Sequence, residues 1–195
     1  MDEGVEIVDG TCPWESEEIQ NDQFVYRQIP VMKRQGTRPR MYPNEGCFEL
    51  RGNEESLSFN LQDKITPHQN YILIGLSDNG NGGLNDYTAY KIFKFPVNFL
   101  VGLPKYEAIL HTPVYEGSPS PVGKPNNPSH VSLLCGNFDD GTRVLMSDYC
   151  LEDFDNAAIE FKVGLLKKEI DELRARANDT PYHKEWVFEA PLNIG

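Results

Sequence analysis

The apolar residues of this 195-residue chain change their spacing near Leu151, and that change limits the fold more than any single motif does. Before it, they fall in short runs rich in aromatic and branched side chains, each bounded by Pro, Gly, Asn or Asp. Residues 24–29, 47–50, 57–61, 71–76 and 90–95 have this character, which predicts strands. In LSFNL at 57–61, Leu57, Phe59 and Leu61 fall on one face, Ser58 and Asn60 on the other. After Leu151, the residues Ile159, Val163, Leu166, Ile170, Leu173 and Ala177 recur in steps of four and three, one side of a helix that Asn178-Asp179-Thr180-Pro181 stops. The pattern predicts an α+β fold, a mainly antiparallel sheet packed by one long C-terminal amphipathic helix over residues 152–178.

The connections add detail. Asp139-Asp140-Gly141 stands between two apolar runs, 131–138 and 142–146, and predicts a tight hairpin. The glycine-rich segment 77–86 predicts a long hairpin loop. It lacks the alternating oxygen ligands and the closing Glu of a calcium loop, and the glycine spacing of a dinucleotide fingerprint. Trp186 and Phe188 suggest a last edge strand at 185–190. The expected core is Phe48, Leu50, Leu57, Phe59, Ile72, Ile74, Val131 and Leu133, covered by Ile159, Val163, Leu166, Ile170 and Leu173. Those five helix residues are also the candidates for docking another subunit.

Charge divides the chain unevenly. Every charged residue from Met1 to Asp22 is acidic, so 1–22 is read as an acidic arm and 23–195 as a single α+β domain. A basic stretch follows the arm, with Arg27, Lys33, Arg34, Arg38 and Arg40 among Pro and Gly. A net charge of -12 argues against nucleic acid as a main partner, since phosphates are approached through Lys and Arg. No apolar run reaches the roughly 18 residues that span a bilayer, and Met1-Asp2-Glu3 reverses a basic signal-peptide start. The expectation is a cytoplasmic protein. Cys12, Cys47, Cys135 and Cys150 form no CxxC, and Cys47 and Cys135 sit in apolar contexts as small hydrophobes. His68, His111, His130 and His183 show no ligand spacing, so no metal and no cofactor are expected.

The crossing from Thr112 to Ser129 is longer than a compact domain usually carries without a use for it. Its end, Asn126-Asn127-Pro128-Ser129-His130, joins turn formers to an imidazole at the start of a strand. With the polar face of LSFN this predicts one polar cluster, Arg51, Asn60, Asn127 and His130. Its bland counterpart is asparagines capping a turn while His130 bonds a carbonyl.

VYRQIP at 25–30, GTRPRMYPNEGCFELRGNEESLSFN at 36–60, HTPVYEGSPSPVGKPNNPSHV at 111–131 and SDYC at 147–150 resemble blocks of a family of small bacterial proteins with no established activity. That resemblance carries over no catalytic residue. A second, partial likeness is to ADP-ribosyltransferases, in which a first-strand Arg, a Ser-containing strand and a third-strand Glu surround NAD. Arg27 and Ser58 match the first two parts; Glu160, Glu185 and Glu189 lack the context of the third. The expected function is a cytosolic bacterial accessory protein of a multi-gene system, such as one related to defence or toxins. It would bind another protein, or a second copy, without catalysis of its own. The alternative is an NAD-using ADP-ribosyltransferase-like enzyme.

Overall fold

The computed structural model describes residues 12, 14–30, 43–50, 52, 54–77, 84–115, 127–152, 158–159 and 163–179. The strands are β1 (Phe24–Pro30), β2 (Leu57–Leu61), β3 (Tyr90–Pro96), β4 (Tyr106–His111), β5 (His130–Cys135) and β6 (Ala158–Ile159). The helices are α1 (Pro67–Leu76), α2 (Val97–Val101), α3 (Asp140–Glu152) and α4 (Val163–Asp179). Among the described residues the six strands form one sheet in the order β4-β5-β2-β1-β3-β6, and every pairing is antiparallel. The fold is α+β.

Strand alternation sends side chains to two faces that are covered differently. Val25, Ile29, Leu57, Phe59, Phe93, Phe95, Val131 and Leu133 fill the first face. It is closed by Leu100 of α2, by Met146 and Cys150 of α3, and by Phe48 in a short 3-10 turn, Glu45–Phe48. Phe95 is its hub, meeting Phe59 edge-on at 5.7 Å and stacking on Tyr149 at 5.0 Å, arrangements that suit the ring quadrupoles. On the second face, Tyr26 and Ile92 lie under α1, and α1 lies under Leu166, Ile170 and Leu173 of α4.

Several expectations are corrected here. Residues 71–76 are helix, because α1 is buried all round from Asn70 to Leu76 and an all-apolar stretch shows no period. Its true signal was Thr66-Pro67-His68-Gln69: Thr66 and Gln69 form a capping box, with Pro67 in the first turn. The supposed hairpin at Asp139-Asp140-Gly141 is a helix start. Asp139 Oδ1 accepts from Thr142 N at 2.9 Å, and Thr142, Met146, Ser147 and Cys150 give α3 a buried side. With Lys105 beside it and the Thr142 amide bonded to it, the Asp139 carboxyl is lowered to about 2. Residues 47–50 are not a strand, and 77–86 joins α1 to β3 instead of closing a hairpin. The C-terminal part is not one helix from 152: α3 ends at Glu152, Ala158 and Ile159 pair with Phe93 and Ile92, and α4 begins at Val163. Nor does α4 cover the face holding Phe48 and Phe59; Ile72 and Ile74 belong to the other cluster with it. The proposed strand at 185–190 lies outside the described residues.

The long crossing is the β4–β5 connection. It is pinched at its base where Val114 and Asn127 exchange backbone hydrogen bonds of 2.9 and 2.8 Å. The acidic segment beyond residue 14 lies against the domain: Glu17 N donates to His111 Nδ1 at 3.1 Å, its carboxylate pairs with Lys64 at 2.5 Å, and Trp14 meets Tyr115 edge-on at 5.7 Å.

Gly75 lets α4 seat on α1. A Cβ there would stand 2.8 Å from Ile170 Cδ1, closer than Cβ atoms come to a neighbour, and 3.0 Å from its Cγ2, so the Ile170 side chain would have to shift. Ile170→Ala is expected to cost about 2–5 kcal/mol of unfolding free energy. Gly75→Ala should also destabilise, against its helix-propensity gain of about 1 kcal/mol, and its penalty should vanish in the Ile170→Ala background. Denaturant titration of the four proteins checks this; strictly additive losses would show that the two residues do not meet.

Candidate functional site

Three of the residues expected to form a polar cluster lie together at the β2–β5 pairing, where Asn60 sits opposite His130. Arg51 lies outside the described residues. Asn60 and Asn127 are buried and directly bonded, Asn127 Nδ2 donating to Asn60 Oδ1 at 2.7 Å. Ser129 Oγ donates to the same oxygen at 3.2 Å and to Asn127 Oδ1 at 2.6 Å. Asn60 Nδ2 donates to Asn70 Oδ1 at 2.8 Å, and Gln28 Nε2 bonds Asn70 in turn. A chain of amides thus runs from the end of the long crossing, through β2, to α1 and β1. Sequence reasoning missed Asn70 because it was read as the polar boundary of a strand at 71–76; its place just after a Thr-Pro helix start was the available signal.

His130 turns to a different set of groups. Its Nδ1 lies 2.9 Å from the Thr112 carbonyl oxygen and 2.9 Å from Thr112 Oγ1, and its Nε2 lies 3.1 Å from Ser58 Oγ. Ser132 Oγ, 2.8 Å from Thr112 Oγ1, completes a row of polar groups on the second sheet face, beside the part that α1 covers. A carbonyl oxygen only accepts, so the bond to Thr112 O requires the ring proton on Nδ1 and leaves the Nε2 lone pair facing the Ser58 hydroxyl. Burial pushes the His130 imidazole below its ordinary value, with His111 adding to the effect and the Thr112 carbonyl opposing it. The ring is therefore neutral near neutral pH.

His111, which no sequence pattern singled out, is buried with both nitrogens engaged. Nε2 donates to Pro128 O at 2.7 Å, and Nδ1 accepts from Glu17 N. It holds the acidic segment and the end of the crossing to β4.

Arg27 and Ser58 are not brought together as an NAD site would need. Arg27 pairs across the sheet with Phe93 and points into the first core, 5.6 and 5.4 Å from the Phe48 and Phe59 ring centres. Its fork donates to Ser58 O at 2.7 Å and Cys47 O at 2.9 Å, which occupies the guanidinium with backbone. The Ser58 hydroxyl faces the opposite side of the sheet, towards His130. Of the helix residues considered for docking a partner, Leu166, Ile170 and Leu173 are buried inside the chain against α1, and Ile159 pairs with Ile92 in the sheet; the Val163 side chain lies outside what is described. Among the described residues, no cluster of three or more His, Cys, Asp or Glu side chains could hold a metal ion, and no helix is long and apolar enough to cross a membrane.

No family model, no curated protein and no solved structure matches the chain. The assignment of its site rests on geometry.

Two outcomes follow from the polar groups. Asn60→Ala leaves the buried Asn127 Nδ2 without its acceptor and should cost about 1–3 kcal/mol in thermal or denaturant unfolding; an unchanged midpoint would show the chain of amides to be idle. For His130 the lowered value sets the sign: the unfolded chain takes a proton near its ordinary 6.5, before the folded one does. Stability should then fall as pH drops below about 6.5, while the group contributes no pH dependence above it. His130→Gln should flatten that fall between about pH 7 and pH 5; parallel melting-temperature profiles for the two proteins would remove His130 from the account.

Proposed function

We propose that the protein is an accessory component of a larger bacterial assembly, and that it binds a basic, apolar segment of another protein on the outer face of α3. The observation that carries this reading is the composition of that face. Residues 140, 141, 144, 145, 148, 151 and 152 are the exposed ones in α3 and, at 3.6 residues per turn, they share one side. Val144, Leu145 and Leu151 are 39%, 44% and 42% exposed there. Single exposed aliphatics are ordinary, whereas three gathered on one helical side form a patch that gains by being covered.

Charge narrows the occupant. Asp140, Asp148 and Glu152 stand on the same side, and Arg143, the one cation of α3, is turned towards Asp140 and Glu49. A second copy docked on this face would bring carboxylates against carboxylates, so a partner carrying Lys or Arg beside apolar groups complements it better. The net charge of -12 acts in the same direction by favouring encounter with cationic surfaces.

The test is comparative capture from a native host. Val144→Lys/Leu151→Lys alters only exposed positions and should leave the unfolding free energy within about 0.5 kcal/mol of wild type. The double variant should lose a partner that the wild-type bait retains, and Asp148→Lys/Glu152→Lys should weaken the same capture and its dependence on salt. Undiminished capture of that partner by both variants would show that α3 is not the docking face.

A further inference from the structure

We infer that Ser58, His130 and Thr112 form an acyl-transfer site on the open half of the second sheet face, with Ser58 as nucleophile, His130 as general base and a carboxylic ester as the substrate class. This goes beyond docking at α3 and replaces the expectation of a chain without catalysis of its own. The requirement for an activated hydroxyl is a base in hydrogen-bond reach, itself oriented by a third group. Both relations are present, Ser58 Oγ to His130 Nε2 at 3.1 Å and His130 Nδ1 to Thr112 O at 2.9 Å, and the carbonyl's inability to donate fixes the productive tautomer.

The three groups come from three neighbouring segments of the sheet that are hydrogen-bonded to one another. Ser58 is exposed, on β2, and pairs directly with Ser132 of β5. His130 lies diagonally two residues along from Ser132, a separation across which side chains still meet. Thr112 follows β4, and its amide donates to His130 O at 2.9 Å, which closes the far side. Ser132 Oγ accepts from or donates to Thr112 Oγ1 at 2.8 Å. When Thr112 is the donor, the Ser132 hydroxyl proton is left to stabilise an oxygen that becomes negative beside Ser58. Burial keeps the His130 ring neutral, the form a general base needs.

The reaction balances without any co-reactant other than water. Ser58 Oγ attacks the ester carbonyl carbon as its proton passes to His130 Nε2; the Oγ–carbon bond forms, and the carbon–oxygen bond to the alcohol breaks. The leaving alcohol takes the proton from Nε2. Water then adds to the Ser58 ester, His130 receives its proton and returns it to Ser58 Oγ, and the carboxylic acid leaves.

A fluorophosphonate probe tests this on the full-length protein, since its phosphorus bonds Oγ, fluoride leaves, and the adduct persists for peptide mapping. The expected result is a label on Ser58 whose rate rises with the loss of a proton below about pH 6.5 and is level above it. Ser58→Ala, at an exposed position, should abolish it, and His130→Gln should slow it at least about 100-fold, the usual scale of a general base. Hydrolysis of p-nitrophenyl acetate should follow the same pattern. The wild-type pH profile reads the base even where a His130 variant folds poorly. Absence of label on Ser58 under conditions that label a serine hydrolase to completion would overturn the site. So would labelling of folded His130→Gln at the wild-type rate. Neither result bears on docking at α3.

Discussion

The two hydrogen-bonding ends of Asn60 hold together parts of the chain that packing alone would leave independent. Its carbonyl oxygen receives Asn127 and Ser129 from the end of the long crossing, while its amide reaches Asn70 in α1. A buried amide is costly unless satisfied, so the crossing, β2 and α1 cannot shift separately without exposing the loss. Two accepted bonds on the oxygen and a donated one on the nitrogen, all on one planar group, are what this junction asks for; an aliphatic residue would fit the space and specify nothing. The same network fixes the register in which His130 faces Asn60, and therefore where the imidazole begins.

That register separates a sheet face made for packing from one only partly used for it. The first face is closed by α2, α3 and aromatic contacts around Phe95, and even the cation Arg27 serves it by bonding two backbone carbonyls beside Phe48 and Phe59. On the second face, α1 and α4 cover β1 and β3. Over β2, β5 and the end of β4 the outward groups include Ser58, His130, Ser132 and Thr112, linked by hydrogen bonds, with the exposed Leu110 beside Ser132. Chemistry that needs solvent or a ligand belongs where the cover stops, and there the chain has placed an imidazole with a defined tautomer.

What could be read from sequence followed from the length and contrast of each pattern. Alternation in LSFNL and the aromatic and branched content of residues 90–95 placed β2 and β3 correctly. It failed for α1, whose burial on every side erases the helical period, and for α3, where Asp-Gly is equally good chemistry for a turn and for a helix start. The partnership of Asn60 with Asn127 was legible, since a polar residue on an otherwise apolar strand demands a partner. Their link to Asn70 was not, as it depends on the helix. Ser58 was singled out for an association with Arg27 that strand alternation forbids: its carbonyl meets Arg27 in the sheet, and its hydroxyl goes to the other side.

The long crossing has an economy that its composition hides. Thr112 is where the chain leaves β4, and His130 is where it re-enters the sheet, so the two ends of the detour deliver the ring and the carbonyl that orients it. The bridge between Val114 and Asn127 pinches the detour just beyond them, and His111 ties both ends to the acidic segment through Pro128 O and Glu17 N. Whatever lies between the pinch points can vary in length at little cost, because loop closure grows only slowly with chain length. The geometry of His130 is therefore set by the short frame at the base of the crossing, where Val114 pairs with Asn127 and the Thr112 amide bonds His130 O, and not by the length of chain between the two ends.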